Sequence, residues 1–259
     1  MPSFPSQVPV PGAGTIVIVT GASRGLGHGV AAQYLQAGGH VLGIARRPAT
    51  DLDAAAAAGG GRIEQWAADL ESPQAVADRL AAWLGALARP PAQVRLIHNA
   101  ALLSAPGEVA QADVAETARS LRVGLEAPIA LTVAFLRATA AWTASDRRVL
   151  FVSSGLGRRA MAGSAAYCAQ KAGLDHFARA LALEEGARAH GARVAAVAPG
   201  VIDTDMQAQL RGADFPERER FAELHRSGGL DSPAQAAAKL IALLERADYG
   251  ANPVTDVRG

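Results

Sequence analysis

The chain has 259 residues, half of them apolar but only 5% aromatic, and 25 basic residues stand against 24 acidic ones for a net charge of +1. That balance excludes the electrostatic footprint of a nucleic-acid or anionic-membrane binder, and it leaves a small molecule as the expected partner. A single cysteine, Cys168, excludes an internal disulfide. No Cys/His cluster has metal-ligand spacing and no apolar run reaches membrane-spanning length, so a cytoplasmic protein without metal or membrane is the expectation.

Met1 to Gly12 carries four prolines and no apolar core of a signal peptide, so residues 1–13 read as a disordered leader before one domain, 14–259. Short β-branched runs then alternate with Ala/Leu-rich stretches, the pattern of βαβ units around a parallel sheet. The fold class expected is α/β: a single-domain Rossmann fold, doubly wound, with about seven strands and helices on both faces. Strands are expected at 15–20, 40–45, 62–67, 93–98, 148–153, 193–198 and 253–257. Helices are expected at 25–37, 73–88, 112–140, 164–189 and 232–246; the last opens with Asp231-Ser232-Pro233, a cap followed by a first-turn proline. Ala54 to Gly61 reads as a frayed short helix and loop. Val201 to Leu230 shows no strand pattern, two possible short helices and a Gly228-Gly229 break, which suits a mobile lid.

Two stretches suggest chemistry. After the first strand comes Thr20-Gly21-Ala22-Ser23-Arg24-Gly25-Leu26-Gly27, where glycines would let the backbone turn tightly and bring helix-terminal amides against a pyrophosphate. Such a turn can equally be a plain strand-to-helix connection. The end of the second strand, Ala45-Arg46-Arg47, offers cations and no carboxylate to the adenosine ribose, which favours a 2′-phosphate and hence NADPH; the alternative is a pair of solvated arginines.

The second stretch is Tyr167-Cys168-Ala169-Gln170-Lys171. The chain holds three tyrosines and two lysines, so this spacing would arise by chance roughly 0.02 times. Four residues apart on a helix, the phenol and the ammonium share a face. A nearby cation favours phenolate and would bring the hydroxyl, ordinarily near pH 10, toward a usable proton donor. An ordinary surface Tyr/Lys pair is the bland reading.

Together the glycine loop, Asp69-Leu70, His98-Asn99-Ala100-Ala101, Ser154, Tyr167/Lys171 and Pro199-Gly200 resemble, in order and over nearly the whole chain, the short-chain dehydrogenase/reductase pattern. The resemblance implies catalysis by Ser154, Tyr167 and Lys171. It implies cofactor contacts from Gly21, Ser23, Arg24, Gly25, Leu26, Gly27, Arg46, Arg47, Asp69, Leu70, Asn99, Ala100, Tyr167, Lys171, Pro199, Gly200, Ile202 and Thr204. Pro199 to Gln207 and Gly229 to Pro233 look like the sepiapterin reductase and benzil reductase branch, which places Ser154, Leu156, Met206 and Asp256 toward substrate. The implied reaction passes a hydride from NADPH to a ketone or 1,2-dicarbonyl while Tyr167 donates a proton. The alternatives are a 3-oxoacyl thioester reductase, for which Arg158 and Arg159 could meet an acidic carrier, and a weakened nucleotide-binding sensor or scaffold. A homodimer or homotetramer through helices 112–140 and 164–189 is also implied.

The chain departs from the family pattern at two places. His98 stands where an Asn is usual. Gly124 stands where the family commonly has an Asn that holds a water in a proton relay to the lysine, so Gly124→Asn is expected to leave cofactor binding intact and not to lower turnover.

Overall fold

The computed structural model describes residues 10–212 and 214–258. Seven parallel strands form one sheet in the order β3-β2-β1-β4-β5-β6-β7. They are β1 (Thr15–Thr20), β2 (His40–Ala45), β3 (Arg62–Ala67), β4 (Gln93–His98), β5 (Asp146–Val152), β6 (Arg193–Ala198) and β7 (Val254–Asp256). The helices are α1 (Gly25–Gln36), α2 (Asp51–Gly59), α3 (Pro73–Gly85), α4 (Val114–Leu121), α5 (Ala127–Ala138), α6 (Ala165–Gly186), α7 (Asp205–Gly212), α8 (Arg218–Arg226) and α9 (Pro233–Leu244).

Strand β1 shows why the sheet is sandwiched. All six of its residues are buried; Ile16 and Ile18 join the apolar cluster that holds Val76 and Leu80 of α3, Leu131 of α5 and Leu174 of α6, while Val17 and Val19 join the one that holds Val30 of α1 and Leu240 of α9. Side chains alternate across a strand, so a continuous apolar run buries both faces, as a doubly wound fold requires. The described chain begins at Val10, which packs on the α1/α9 cluster, and a Cβ on Gly12 would collide with the Ala37 carbonyl. Residues 1–9 of the expected leader lie outside the described residues.

Three expectations change in detail. The tract from residue 54 belongs to a nine-residue helix, α2, with Asp51 and Asp53 in its first turn and Gly60 closing it in the left-handed conformation (φ +70°); the acids favour the positive helix end and the glycine permits the turn. Strand β5 starts at Asp146 and stops before Ser153. The long helix expected over 112–140 is two helices joined by a π-turn at Arg122–Glu126, where the Ala127 N–H reaches back five residues to the Arg122 carbonyl. Pro128 has no N–H to offer the Gly124 carbonyl, so the regular ladder cannot run through. Helix α9 has the expected cap: Ser232 Oγ accepts from Gln235 N at 3.2 Å and the Gln235 side chain accepts from Ser232 N at 2.9 Å.

Strand order reverses between β1 and β4, because β1 is followed outward by β2 and β3 whereas β4 starts the opposite wing. In open parallel sheets ligands bind at the carboxyl ends of the strands flanking such a point.

Candidate active site

A cleft of about 720 Å³ opens there, lined by the glycine loop, the ends of β2, β3, β4 and β5, the face of α6 and the segment after β6. It collects Gly21, Ser23, Arg24, Gly25, Leu26, Arg46, Arg47, Asp69, Leu70, Asn99, Ala100, Ser154, Tyr167, Lys171, Pro199, Gly200, Ile202, Thr204 and Met206. Gly27 lines no wall but is needed behind one: a Cβ there would stand 2.4 Å from both the Gly21 carbonyl oxygen and Asn99 Nδ2. Asn99 clamps the turn, its Nδ2 donating to the carbonyls of Thr20 (3.1 Å) and Gly21 (3.2 Å) while its N–H donates to Thr20 Oγ1 (3.0 Å).

The residues fit a dinucleotide. Helix α1 begins behind the glycine loop with no side-chain cap and no acid in its first turn, so its free amides and positive end can meet an anion. Arg46 and Arg47 are exposed at the rim. Arg24 instead spans the cleft to the Asp205 carboxylate at the start of α7.

Helix α6 carries Tyr167 and Lys171 on the cleft side, and Lys171 is buried. Its Nζ donates to the Val152 carbonyl at 2.8 Å and lies over the Tyr167 ring, 5.5 Å from the centroid. Burial lowers its pKa to about 8, with Asp175 pulling upward. Tyr167 is partly open to the cleft, yet desolvation of its hydroxyl pushes the phenol up to about 12, with Ser154 pulling downward. The lowering of the phenol expected from the Tyr/Lys spacing is not seen, because burial of the hydroxyl is the largest influence and raises it. Ser154 Oγ accepts from the Leu156 N–H at 3.2 Å, which leaves its own hydrogen to donate into the cleft.

Two substrate-side expectations move. Leu156 does not line the cleft; it packs on an apolar cluster of Met161, Leu210 and Phe215, together with Leu103, Cys168 and Phe221. Asp256 does not line the cleft; Arg258, two residues on, closes on both its oxygens at 2.7 and 2.6 Å and holds its carboxyl below the usual range. With that guanidinium on it, Asp256 is a structural pair and not a free acceptor.

Gly124 also takes a different meaning. It is buried in the π-turn, and a Cβ on it would lie 2.1 Å from Gln170 Nε2. The buried Gln170 amide fills that space and donates to the Ser120 carbonyl at 2.7 Å, while Ser120 Oγ donates to the Leu102 carbonyl at 2.8 Å on the cleft wall. An Asn at residue 124 therefore requires the Gln170 side chain to shift. His98 is buried, its Nε2 2.9 Å from Thr132 Oγ1 and its ring stacked 4.9 Å from Phe151. The sequence pattern assigns no role to Asp175, and its spacing of four from Lys171 on α6 is the one local signal for it.

Comparison with known proteins follows the same lines. The family model described as short chain dehydrogenase matches residues 15–214, and the chain belongs to that family. It is 32% identical over 237 residues to benzil reductase ((S)-benzoin forming) of Bacillus cereus, covering 90% of this chain and 95% of that one. It is 33% identical over 251 residues to a 3-oxoacyl-[acyl-carrier-protein] reductase of Pseudomonas aeruginosa, covering 93% of each. With sepiapterin reductase of Rattus norvegicus the identity is 32% over 247 residues, covering 89% and 91%. Among solved structures, a Beutenbergia cavernae chain with bound NADP at low occupancy is 29% identical, covers 96% of this chain and 97% of its own, and superposes with a TM-score of 0.79. The protein is thus a short-chain oxidoreductase acting on carbonyl or alcohol groups with a nicotinamide cofactor.

Proposed function

We propose that the protein is an NADPH-dependent reductase of ketones or 1,2-dicarbonyls, of the benzil or sepiapterin kind. The observation that carries this is one cleft holding Ser154, Tyr167 and Lys171 beside an uncapped helix terminus and two rim arginines. A bound reduced nicotinamide supplies the hydride. A phenol held at about 12 is protonated throughout the neutral range, the form a proton donor needs, and Tyr167 gives that proton to the carbonyl oxygen as negative charge builds on it. Ser154 donates its remaining hydrogen to the same oxygen. Lys171 holds positive charge under the ring and stabilises the phenolate that the transfer leaves.

The cleft wall supports a substrate with apolar groups, because it includes the side chains of Leu102, Val123 and Met206, which suit carbon-rich groups. The thioester-reductase alternative is favoured by the Pseudomonas relative and by Arg158 and Arg159, which are both exposed. A sensor or scaffold would have no need of all three reactive groups. We further read the protein as cytoplasmic and as a homodimer or homotetramer through α5 and α6, where Val133 and Leu183 are 38% and 78% exposed. Light scattering giving a monomer would remove the oligomer reading. The function is tested by following loss of NADPH absorbance with a 1,2-diketone, a pterin and an acyl thioester. Turnover of the diketone or pterin is expected; turnover of the thioester alone, or of none, overturns the assignment.

A further inference from the structure

Behind the reactive groups lies a second polar layer. Tyr167, Lys171 and Asp175 recur every four residues along α6 and so share one face. Asp175 is 1% exposed, and its Oδ1 accepts from the hydroxyl of Ser153, itself 3% exposed. Ser153 directly precedes Ser154 and the tight turn Gly155–Gly157. The other oxygen, Oδ2, is buried without a hydrogen bond; the nearest cation is Arg158 Nε at 3.9 Å, and a Cβ on Gly157 would come within 2.7 Å of it.

A carboxylate costs several kcal/mol to bury without full satisfaction, so its retention here asks for a purpose. We propose that Asp175 is a positioning residue for the carbonyl reduction: through Ser153 it fixes the turn that aims Ser154, and it supplies the buried negative charge behind Lys171. The inference rests on the reductase reading. The groups facing Asp175 are Ser153 at the end of β5, Gly157 and Arg158 in the tight turn, and Lys171 and Arg179 on its own helix. Among these, Ser153 and Lys171 also line the cleft. Burial pulls the Lys171 ammonium down and Asp175 holds it up, so losing the carboxylate charge moves deprotonation of Lys171 to lower pH.

The test uses the full chain with NADPH and a 1,2-diketone, measuring kcat, KM and melting temperature from pH 6 to 10. Asp175→Asn keeps shape and removes charge; it is expected to lower kcat about tenfold, leave the KM for NADPH unchanged, and shift the alkaline fall in rate to lower pH. Ser153→Ala and Gly157→Ala disturb the carboxylate's contacts without removing its charge, and are expected to lower kcat with the alkaline fall unmoved. Wild-type kcat and pH profile in Asp175→Asn would overturn the proposal, as would a loss of rate with an unmoved profile. Should Asp175→Asn fail to fold, wild-type kcat in both other variants overturns it. Tyr167→Phe run in parallel separates the two ideas: an active Tyr167→Phe sinks the reductase reading itself, whereas an inactive one beside an unaffected Asp175→Asn sinks only the role of Asp175.

Discussion

Gln170 occupies the space that a side chain at residue 124 would need, its amide nitrogen 2.1 Å from where a Cβ on Gly124 would stand. Glycine at the π-turn and a long amide one residue before Lys171 are therefore one structural unit. Forcing a larger group into a filled core typically costs about 1–3 kcal/mol, so Gly124→Asn alone should lower the melting temperature. Combined with Gln170→Ala it should recover most of that loss, because contacting residues couple non-additively. Thermal unfolding of the two single variants and the double variant checks this; additive losses would separate the pair.

Cofactor preference should reside in Arg46 and Arg47, exposed at the rim with no carboxylate at the strand end. A charge-assisted contact to a 2′-phosphate contributes about 1.5–3 kcal/mol. Replacing either arginine with Ala should therefore weaken NADPH binding about tenfold and leave NADH binding unchanged, as read by fluorescence titration. Equal losses for both nucleotides would place the phosphate elsewhere.

His98 should make the fold acid-sensitive. Burial lowers its pKa from 6.5 to about 3, so the folded state favours neutral imidazole while the unfolded chain binds a proton below about 6.5. Stability from this group is complete above 6.5 and lost as pH falls from there toward 3, at up to about 1.4 kcal/mol per pH unit. Urea unfolding at pH 7 and pH 5 should show a larger difference for wild type than for His98→Asn; equal slopes would contradict it.

Residues 201–230, which include α7 and α8, are expected to act as a lid. Arg24 of the glycine loop already reaches Asp205 at the start of α7, which ties this segment to the loop expected to hold the cofactor. NADPH should protect this segment from limited proteolysis; cleavage at an equal rate with and without it would count against a lid.

Much of this architecture can be read from the chain. Strands β1, β2, β4 and β6 fall where β-branched runs end at turn residues, because a parallel sheet buried on both faces leaves a largely unbroken apolar signature. Strand β5 is legible only from Arg148 onward, since Asp146 and Arg147 read as solvent-facing. Their burial depends on distant partners: Asp146 meets Arg95 at 3.0 Å and Arg193 at 2.6 Å, and Arg95 in turn meets Glu245 at 2.7 Å. No local pattern announces an ion-pair network joining β4, β5, β6 and the end of α9. The same holds at the site. Tyr167 and Lys171 were visible as a helical pair, whereas the Gln170/Gly124 interlock and the Ser153/Asp175 layer exist only after α6 packs on its neighbours. Nothing in the sequence says that Arg258 folds back onto Asp256.

The central claim is that the Tyr167 hydroxyl gives the proton when a carbonyl is reduced. It is tested most directly by Tyr167→Phe, with NADPH consumption and NADPH binding measured on the same preparation. Ketone reduction should fall at least about a hundredfold, while cofactor affinity and melting temperature stay close to wild type. A Tyr167→Phe variant that reduces the ketone at the wild-type rate would contradict the account.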